Sequence, residues 1–312
     1  MTGFPTTDGW PELRLADWQD TRDTVHMWTQ IVGKIRLAVE PMVNHWWQVP
    51  LYVTATGLTT SLMPHRRGGF EIAFDFRRHV LTVTTVRGEQ RELLLRPRSV
   101  ADLHAELFSV LADLGLGDIA IFGRPVEVDV AIPFAEDTVH ASYDPIFAER
   151  FWRSLVSAHR VLTGFRAGFV GKVSPVHFWW GAFDLAVTRF NGKPAPRHPG
   201  GVPNCADWVM ETAYSHEAIS CGYWPGGADE GAFYSYAYPA PPGFAEAAIS
   251  PPAAFFDTGF SEFLLPYAAV RSAPDPDAAV LTFLQSTYEN AADLAGWDRA
   301  SLERPGVGTP VG

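Results

Sequence analysis

The densest group of chemically active side chains lies in the segment ETAYSHEAISCGYWPGG, residues 211–227. A histidine beside a carboxylate can serve as a general base and its partner, or as two ligands of a metal ion. We therefore expect catalytic roles for His216 and Glu217. Adjacent residues of a strand point to opposite faces, so the pair can share one target only where the backbone bends. The alternative is a structural role for one of them.

Two further histidines stand just before pairs of tryptophans. His45 opens HWWQVPLYVTA, and His177 opens HFWWGAFDLAV. We expect His45, His177 and His216 to bind a divalent transition metal, because imidazole and carboxylate groups suit iron, zinc, copper and manganese. No HExxH or HxH spacing supports this site, so it depends on the three side chains being close in space. The alternative is that His45 and His177 each cap a strand and bond the backbone.

Aromatic residues are concentrated in the same segments. In AFYSYAYP, strand alternation places Tyr234, Tyr236 and Tyr238 on one face. A row of rings with hydroxyl groups can line a pocket for a sugar or an aromatic ligand. The expected substrate-binding residues are Trp47, Trp180, Tyr223, Trp224, Tyr234 and Tyr236. The alternative is that these rings, the tryptophan pairs above all, fill the core.

Several single residues could also carry chemistry. Asp184 interrupts the apolar run FDLAV, and a buried carboxylate needs a partner. We expect an ion pair with Arg189, and the alternative is a role of Asp184 in the reaction. Cys221 has His216 nearby in sequence, yet a lone cysteine is more often a small core residue. Three histidines on predicted helices are expected at the surface: His26, His104 and His159.

The composition limits the classes of partner. The chain has 312 residues, 47% of them hydrophobic, and a net charge of -11. This acidic balance offers no electrostatic footprint for nucleic acid or for an anionic membrane. Two cysteines are too few for a disulfide scaffold, and neither a signal peptide nor a transmembrane segment is expected, so a cytoplasmic location is predicted. Lysine occurs only at Lys34, Lys172 and Lys193, and this preference for arginine hints at a GC-rich bacterial genome.

Hydrophobic periodicity predicts an alternation of long helices and short strands. The long helices are expected at residues 21–41, 99–117, 145–165 and 275–297, and a short one at 206–214. Ser99, Asp144 and Asp275 are suitable N-caps, and Pro145 and Pro276 favour a helix start after the aspartates. The main strands are expected at residues 51–60, 70–76, 80–86, 91–96, 219–224 and 232–239. A further strand is predicted to begin at residue 119 and to lead into a proline-rich link.

The two parts of the chain repeat one order of elements: helix, His-Trp-Trp segment, antiparallel strands, long helix. We therefore predict an α+β fold of two similar halves, each an antiparallel sheet flanked by long helices, related by an internal duplication. The halves are residues 1–135 and 136–312, packed as one compact unit. Ligand sites often form in the cleft between two such units. The alternative is that the sparse identities arose by chance.

The combination of HWWQVPLYVTA, AYSHE, GYWPGG and FYSYAYP resembles an uncharacterised bacterial family, labelled only as a domain of unknown function. The resemblance covers nearly the whole chain and implies no activity, cofactor or catalytic residue. From the residues alone, we expect a small-molecule enzyme that uses a metal ion held by histidine and carboxylate groups in an aromatic-lined cleft between the halves. The alternative is a non-catalytic small-molecule-binding protein.

Overall fold

The computed structural model describes residues 9–227 and 229–304. This part of the chain forms seven α-helices and eleven β-strands. The helices are α1 (Leu15–Val39), α2 (Val100–Asp113), α3 (Pro145–Ala167), α4 (Asp207–Ala213), α5 (Tyr267–Arg271), α6 (Pro276–Leu294) and α7 (Arg299–Leu302). The first five strands are β1 (Tyr52–Val53), β2 (Gly57–Thr59), β3 (Phe70–Asp75), β4 (Val80–Thr85) and β5 (Gln90–Leu94). The other six are β6 (His177–Trp179), β7 (Asp184–Pro194), β8 (His216–Trp224), β9 (Ala232–Tyr238), β10 (Phe255–Asp257) and β11 (Glu262–Pro266).

Side-chain caps fix the starts of three long helices, as the sequence predicts. The Asp144 carboxylate accepts hydrogen bonds from two backbone N–H groups in the first turn of α3, and Asp275 accepts one in α6. Ser99 caps α2 by accepting from the N–H of Asp102. Each cap pairs a backbone donor that has no partner within the helix, which stabilises a helix by about 1 kcal/mol.

The strands form two antiparallel sheets, and the predicted α+β class is confirmed. The smaller sheet has the order β1-β2-β3-β4-β5, and the larger has the order β10-β11-β9-β8-β7-β6. In β3 the alternation predicted from FEIAFDF is realised, with Phe70, Ile72 and Phe74 fully buried or nearly so. Helices α3 and α6 pack together and against the larger sheet.

The two sheets meet at their edges. Leu51, next to β1, and Phe178, in β6, exchange two backbone hydrogen bonds of 2.9 Å in an antiparallel bridge. Both side chains are fully buried, in one hydrophobic cluster that draws on both parts of the chain. The segments that carry the two His-Trp-Trp motifs are therefore brought side by side.

The strand predicted to begin at residue 119 does not form. Residues 118–133 run as coil between α2 and α3. Their backbone groups bond to a loop and to a helix side chain, since the N–H of Glu127 donates to the Pro203 carbonyl and Gln30 exchanges two hydrogen bonds with Val126. The left-handed backbone of Glu127, with a φ of 59°, is also incompatible with a strand.

None of the helices in the described part of the chain has the length and apolar character that a membrane span requires.

Candidate functional site

The two faces of the larger sheet differ in character. On one face Arg189 donates to the Phe165 carbonyl of α3 and stacks its guanidinium 3.5 Å from the centre of the Phe165 ring. This face is the core between sheet and helices. On the other face, strand alternation and register place a row of polar side chains. We call this the polar face and define it by Asp184, Thr188, Ser220, Tyr234, Tyr236 and Glu262.

A tyrosine and a carboxylate pair at the centre of the polar face. The Tyr234 hydroxyl donates a hydrogen bond to Oδ2 of Asp184. The ring reaches Asp184 by lying across Gly222, where a Cβ atom would stand 2.4 Å from the Tyr234 hydroxyl oxygen. Only glycine leaves room for this crossing, so Gly222 is part of the site's construction.

Burial controls the proton on Asp184. The residue is 6% exposed, and it makes no ion pair with the described residues. Burial raises the pKa of its carboxyl to about 7, although the hydrogen bond from Tyr234 opposes the rise. Burial acts in this direction because it disfavours the charged carboxylate. Burial therefore shifts Asp184 toward its protonated form.

A second hydroxyl pair lies beside the first. The hydroxyls of Tyr214 and Tyr236 are 2.7 Å apart, and the rings of Tyr234 and Tyr236 stack with centroids 6.0 Å apart. His198 in turn stacks on Tyr214 at 4.8 Å. Burial raises the pKa of both Tyr234 and Tyr236 well above the ordinary value. These phenols stay neutral and serve as hydrogen-bond donors.

Two more carboxyl groups interact electrostatically with Asp184. Burial raises the pKa of Glu262 to about 7, with repulsion from Asp184 and Asp257 adding to the rise. Burial also raises the pKa of Glu127 to about 7. Glu127 is exposed as a whole, but its carboxylate lies against Gly181, where a Cβ atom would stand 2.2 Å from Oε1. The pKa of Glu127 depends on its covered carboxylate and not on the exposed remainder of the residue.

The structure brings two of the three predicted metal-binding histidines together. The rings of His45 and His216 have centroids 5.6 Å apart. Nδ1 of His45 is 2.8 Å from the Ala213 carbonyl, and Nδ1 of His216 is 3.0 Å from the Ser215 hydroxyl. Burial lowers the pKa of His45, so its imidazole tends toward the neutral form.

His177 is connected to this pair through Trp47. The Trp47 ring is 5.8 Å from the ring of His45 and 5.9 Å from that of His177. His177 is 1% exposed, and neither ring nitrogen has a hydrogen-bond partner among the described residues. Burial, together with the charges of Arg36 and Arg166, lowers its pKa to about 3. Within the described ranges, no three His, Cys, Asp or Glu side chains are grouped to hold a metal ion.

The predicted catalytic pair is divided between the two faces of β8. His216 faces His45, while Glu217 accepts a hydrogen bond from the side chain of Asn191. Glu217 also lines a cavity of about 230 Å³ next to Tyr238 and the C-terminal end of α6. No backbone bend unites the two side chains, because they follow the ordinary alternation of a strand.

The predicted substrate-binding residues are divided as well. Trp224, Tyr234 and Tyr236 belong to the polar face, where Trp224 meets the exposed ring of Phe260 edge to face at 6.0 Å. Tyr223 points the other way and is fully buried against Phe233. The remaining two predicted residues, Trp180 and Trp47, contact the backbone or neighbouring rings. Trp180 donates its N–H to the Val49 carbonyl, and Trp47 lies between His45 and His177.

Two sequence-based expectations are wrong. Asp184 and Arg189 do not form an ion pair, because the odd spacing of five residues along β7 sends them to opposite faces. His26 is not at the surface. It is 8% exposed, and its Nε2 lies 2.8 Å from the carbonyl of Gly181. Cys221 is fully buried and 3.3 Å from the Ser235 hydroxyl, so the expectation of a core cysteine is confirmed.

Three residues at or beside the polar face were absent from the sequence-based prediction of the site. Glu127 comes from coil, and Tyr214 follows the short helix α4, so neither belongs to a periodic element. Glu262 carried a usable signal, because it begins the alternating strand EFLLP. A charge at the first position of an apolar strand indicates a polar face there.

Over residues 10–304, the chain matches the model of a family described as a family of unknown function, DUF5996. The resemblance to an uncharacterised family is thereby confirmed. No curated protein and no solved structure matches the chain.

Proposed function

The chain belongs to the DUF5996 family, whose function is unknown, and we propose that it is an enzyme that moves protons on a small organic substrate bound at the polar face. The observation that supports this proposal is the Asp184–Tyr234 pair. It combines a buried carboxyl group, a neutral phenol and the absence of a neutralising cation among the described residues. Buried pairs of this kind concentrate at active sites.

The chemistry follows from the protonation state of Asp184. A general acid or base works best when its pKa is near the working pH, because both protonation states are then populated. The carboxyl of Asp184 meets this condition, with its pKa raised to about 7 by burial. Glu262, on the same face, meets it as well and provides a second group for returning the proton.

The surroundings favour a neutral substrate with a flat or apolar part. Three carboxyl groups near the site repel anions, and the net charge of -11 adds to this. Trp224 and the 61% exposed ring of Phe260 offer a surface for stacking at the rim. Tyr236 adds a hydroxyl that can bond a substrate oxygen.

A second candidate is binding of a small molecule without turnover. The paired hydroxyls of Tyr214 and Tyr236, 2.7 Å apart, favour this candidate, because such a pair can form hydrogen bonds to a polyol or sugar without any proton transfer. The two candidates share one site and differ in the fate of the ligand. Conversion of a bound ligand, measured by NMR over time, separates them.

Two narrower proposals accompany this one. A transition metal would bind between the Nε2 atoms of His45 and His216, whose rings adjoin, and it would displace the Asn44 side-chain amide, which lies 3.4 Å from Nε2 of His45. An internal duplication, with a boundary at residues 135/136, is supported by the meeting of the two His-Trp-Trp segments at Leu51 and Phe178. Metal analysis of the purified protein and of the His216→Ala variant tests the proposed metal site.

The experiment for the main proposal is a ligand screen by thermal shift. The panel consists of small neutral alcohols, sugars, ketones and aldehydes, assayed at pH 7. We expect at least one class to raise the melting temperature, and this rise to be lost in Asp184→Asn and Tyr236→Phe. The matched control is Tyr223→Phe, since Tyr223 lies on the opposite face of the same sheet. A ligand response that is unaffected by Asp184→Asn and Tyr236→Phe would contradict the proposal.

A further inference from the structure

Helix α1 carries a polar stripe that faces the protein interior. His26, Gln30 and Lys34 recur every four residues and are all at least nine-tenths buried. They face the coil of residues 118–133 and the turn after β6. His26 bonds the carbonyl of Gly181, and Gln30 bonds both backbone groups of Val126.

Lys34 is the exception in this stripe. It is 4% exposed, and it forms neither a hydrogen bond nor an ion pair with the described residues. Its Nζ lies 5.3 Å from the centre of the Phe122 ring and 5.7 Å from that of Trp180. The Trp180 ring is pressed against Gly33, where a Cβ atom would stand 2.3 Å from ring atoms. The amine is therefore held by aromatic walls with no carboxylate fixed to it.

The Lys34 amine is linked to the polar face through Glu127. Glu127 and Cys205 are the acidic groups that act on Lys34, and Glu127 also acts on Asp184. The Glu127 carboxylate touches Gly181, in the turn that leads from Trp180 to Asp184. Glu127 thus interacts electrostatically with both the Lys34 amine and the Asp184 carboxyl.

We propose that Lys34 forms an imine with the carbonyl group of a small aldehyde or ketone. This inference rests on the proposed function and names its substrate class. A buried lysine without an ion pair is suited to this reaction, because only the neutral amine is a nucleophile. Burial lowers the pKa of Lys34, which increases the neutral fraction, while Glu127 and Cys205 oppose this effect.

The reaction balances with the groups present. The Lys34 nitrogen attacks the carbonyl carbon and gives up a proton as the carbonyl oxygen gains one, which yields a carbinolamine. Loss of the hydroxyl group as water then forms the C=N bond. A carboxylic acid donates the proton that the leaving hydroxyl requires, and its carboxylate recovers the proton released by nitrogen; Glu127, which interacts electrostatically with Lys34, takes this role. No oxidant or reductant takes part.

Reductive trapping tests the inference on the full chain. The protein is incubated with propanal and sodium cyanoborohydride at pH 7, and the alkylated lysines are quantified by peptide mass spectrometry. Three lysines in the whole sequence make the assignment direct, and Lys193, an exposed residue, is the internal control. We expect Lys34 to be labelled faster than Lys193, by up to about tenfold for each unit by which burial lowers its pKa. Labelling of Lys34 that is equal to or slower than that of Lys193 would overturn the inference.

Two variants sharpen the result. Phe122→Ala removes part of the burial that lowers the pKa of Lys34, so it should reduce the labelling of Lys34 relative to that of Lys193. Unchanged labelling of Lys34 in this variant would contradict the role given to the aromatic walls. Asp184→Asn separates this inference from the proposed function. If ligand responses survive Asp184→Asn while Lys34 is still preferentially trapped, the proposed proton-transfer site fails and the reactive amine stands.

Discussion

The Tyr234 hydroxyl donates its hydrogen bond to the carboxylate of Asp184 on the same face of the larger sheet, across the intervening strand β8. The pair crosses β8 at Gly222, so three strands contribute to one contact. Burial and the absence of a partner cation keep Asp184 partly protonated near neutral pH. Several measurable consequences depend on this contact.

The first prediction concerns the pH dependence of stability. The pKa of Asp184 is raised from 3.8 to about 7 in the folded protein, so the folded state binds more protons than the unfolded state between these values. Its stabilising contribution is full below pH 3.8 and is lost as the pH rises through 7. The wild type should lose on the order of 2–4 kcal/mol of unfolding free energy between pH 4 and 8 through this group. We expect Asp184→Asn to remove this loss. Denaturant unfolding across this range measures it.

The control for this series is Glu246→Gln, which removes an exposed carboxylate without a hydrogen-bond partner in the described structure. Its pH profile should follow that of the wild type. An Asp184→Asn profile parallel to that of the wild type would show that the carboxylate does not have a raised pKa.

The second prediction concerns the hydrogen bond itself. Tyr234→Phe leaves a buried acceptor without its donor, which costs about 1–3 kcal/mol of unfolding free energy. The pKa of Asp184 should rise further, because the bond from Tyr234 lowers it. Chemical denaturation at pH 7 measures the stability change. Tyr223→Phe is the matched control, since its buried hydroxyl has no partner among the described residues, and equal losses in both variants would argue against a special role for Tyr234.

The third prediction concerns the crossing point. Gly222→Ala places a methyl group 2.4 Å from the Tyr234 hydroxyl oxygen and 2.5 Å from the Leu185 carbonyl, so the ring must leave Asp184. We expect the free energy of unfolding to fall by about 2–4 kcal/mol, because the variant combines overpacking with the loss of a hydrogen bond. Gly164→Ala, at an exposed position of α3 with open space at its Cβ, should instead raise the free energy of unfolding by about 0.5–1 kcal/mol. A neutral Gly222→Ala would mean that Tyr234 is not held across this strand.

The fourth prediction concerns acid sensitivity. The pKa of His177 is lowered from 6.5 to about 3 by burial, so its stabilising effect is present above pH 6.5 and is lost as the pH falls toward 3. His177→Gln removes the titrating group and should reduce the loss of stability between pH 6 and 4, relative to the wild type. Thermal unfolding at both pH values tests this. An identical loss in the two proteins would exclude His177 as a source of acid sensitivity.

Sequence periodicity predicted the regular elements well, for physical reasons that particular residues show. The aspartates before Pro145 and Pro276 cap helices where predicted, because capping is a local interaction. Strand alternation also contained the correction to one expectation: an odd separation between Asp184 and Arg189 excludes a shared face. In the same way, adjacency in β8 separates His216 from Glu217.

The site itself could be predicted only in part. Trp224, Tyr234 and Tyr236 share a face by strand period, but Asp184 meets Tyr234 only through the register of three strands, which depends on long-range pairing. Glu127 enters from coil, and His26 and Lys34 are buried by coil and turn segments that cover α1. Single-sequence periodicity does not reveal which helix face such segments cover.

The titration of the Asp184 carboxyl can be followed directly by NMR. Aspartate labelled with ¹³C at the side-chain carboxyl is incorporated into the protein, and the Asp184→Asn variant assigns the resonance by its absence. We expect this carboxyl to titrate near pH 7. A titration midpoint near the ordinary aspartate value of about 4 would contradict it, and the polar face would then have no group able to exchange protons at neutral pH through Asp184.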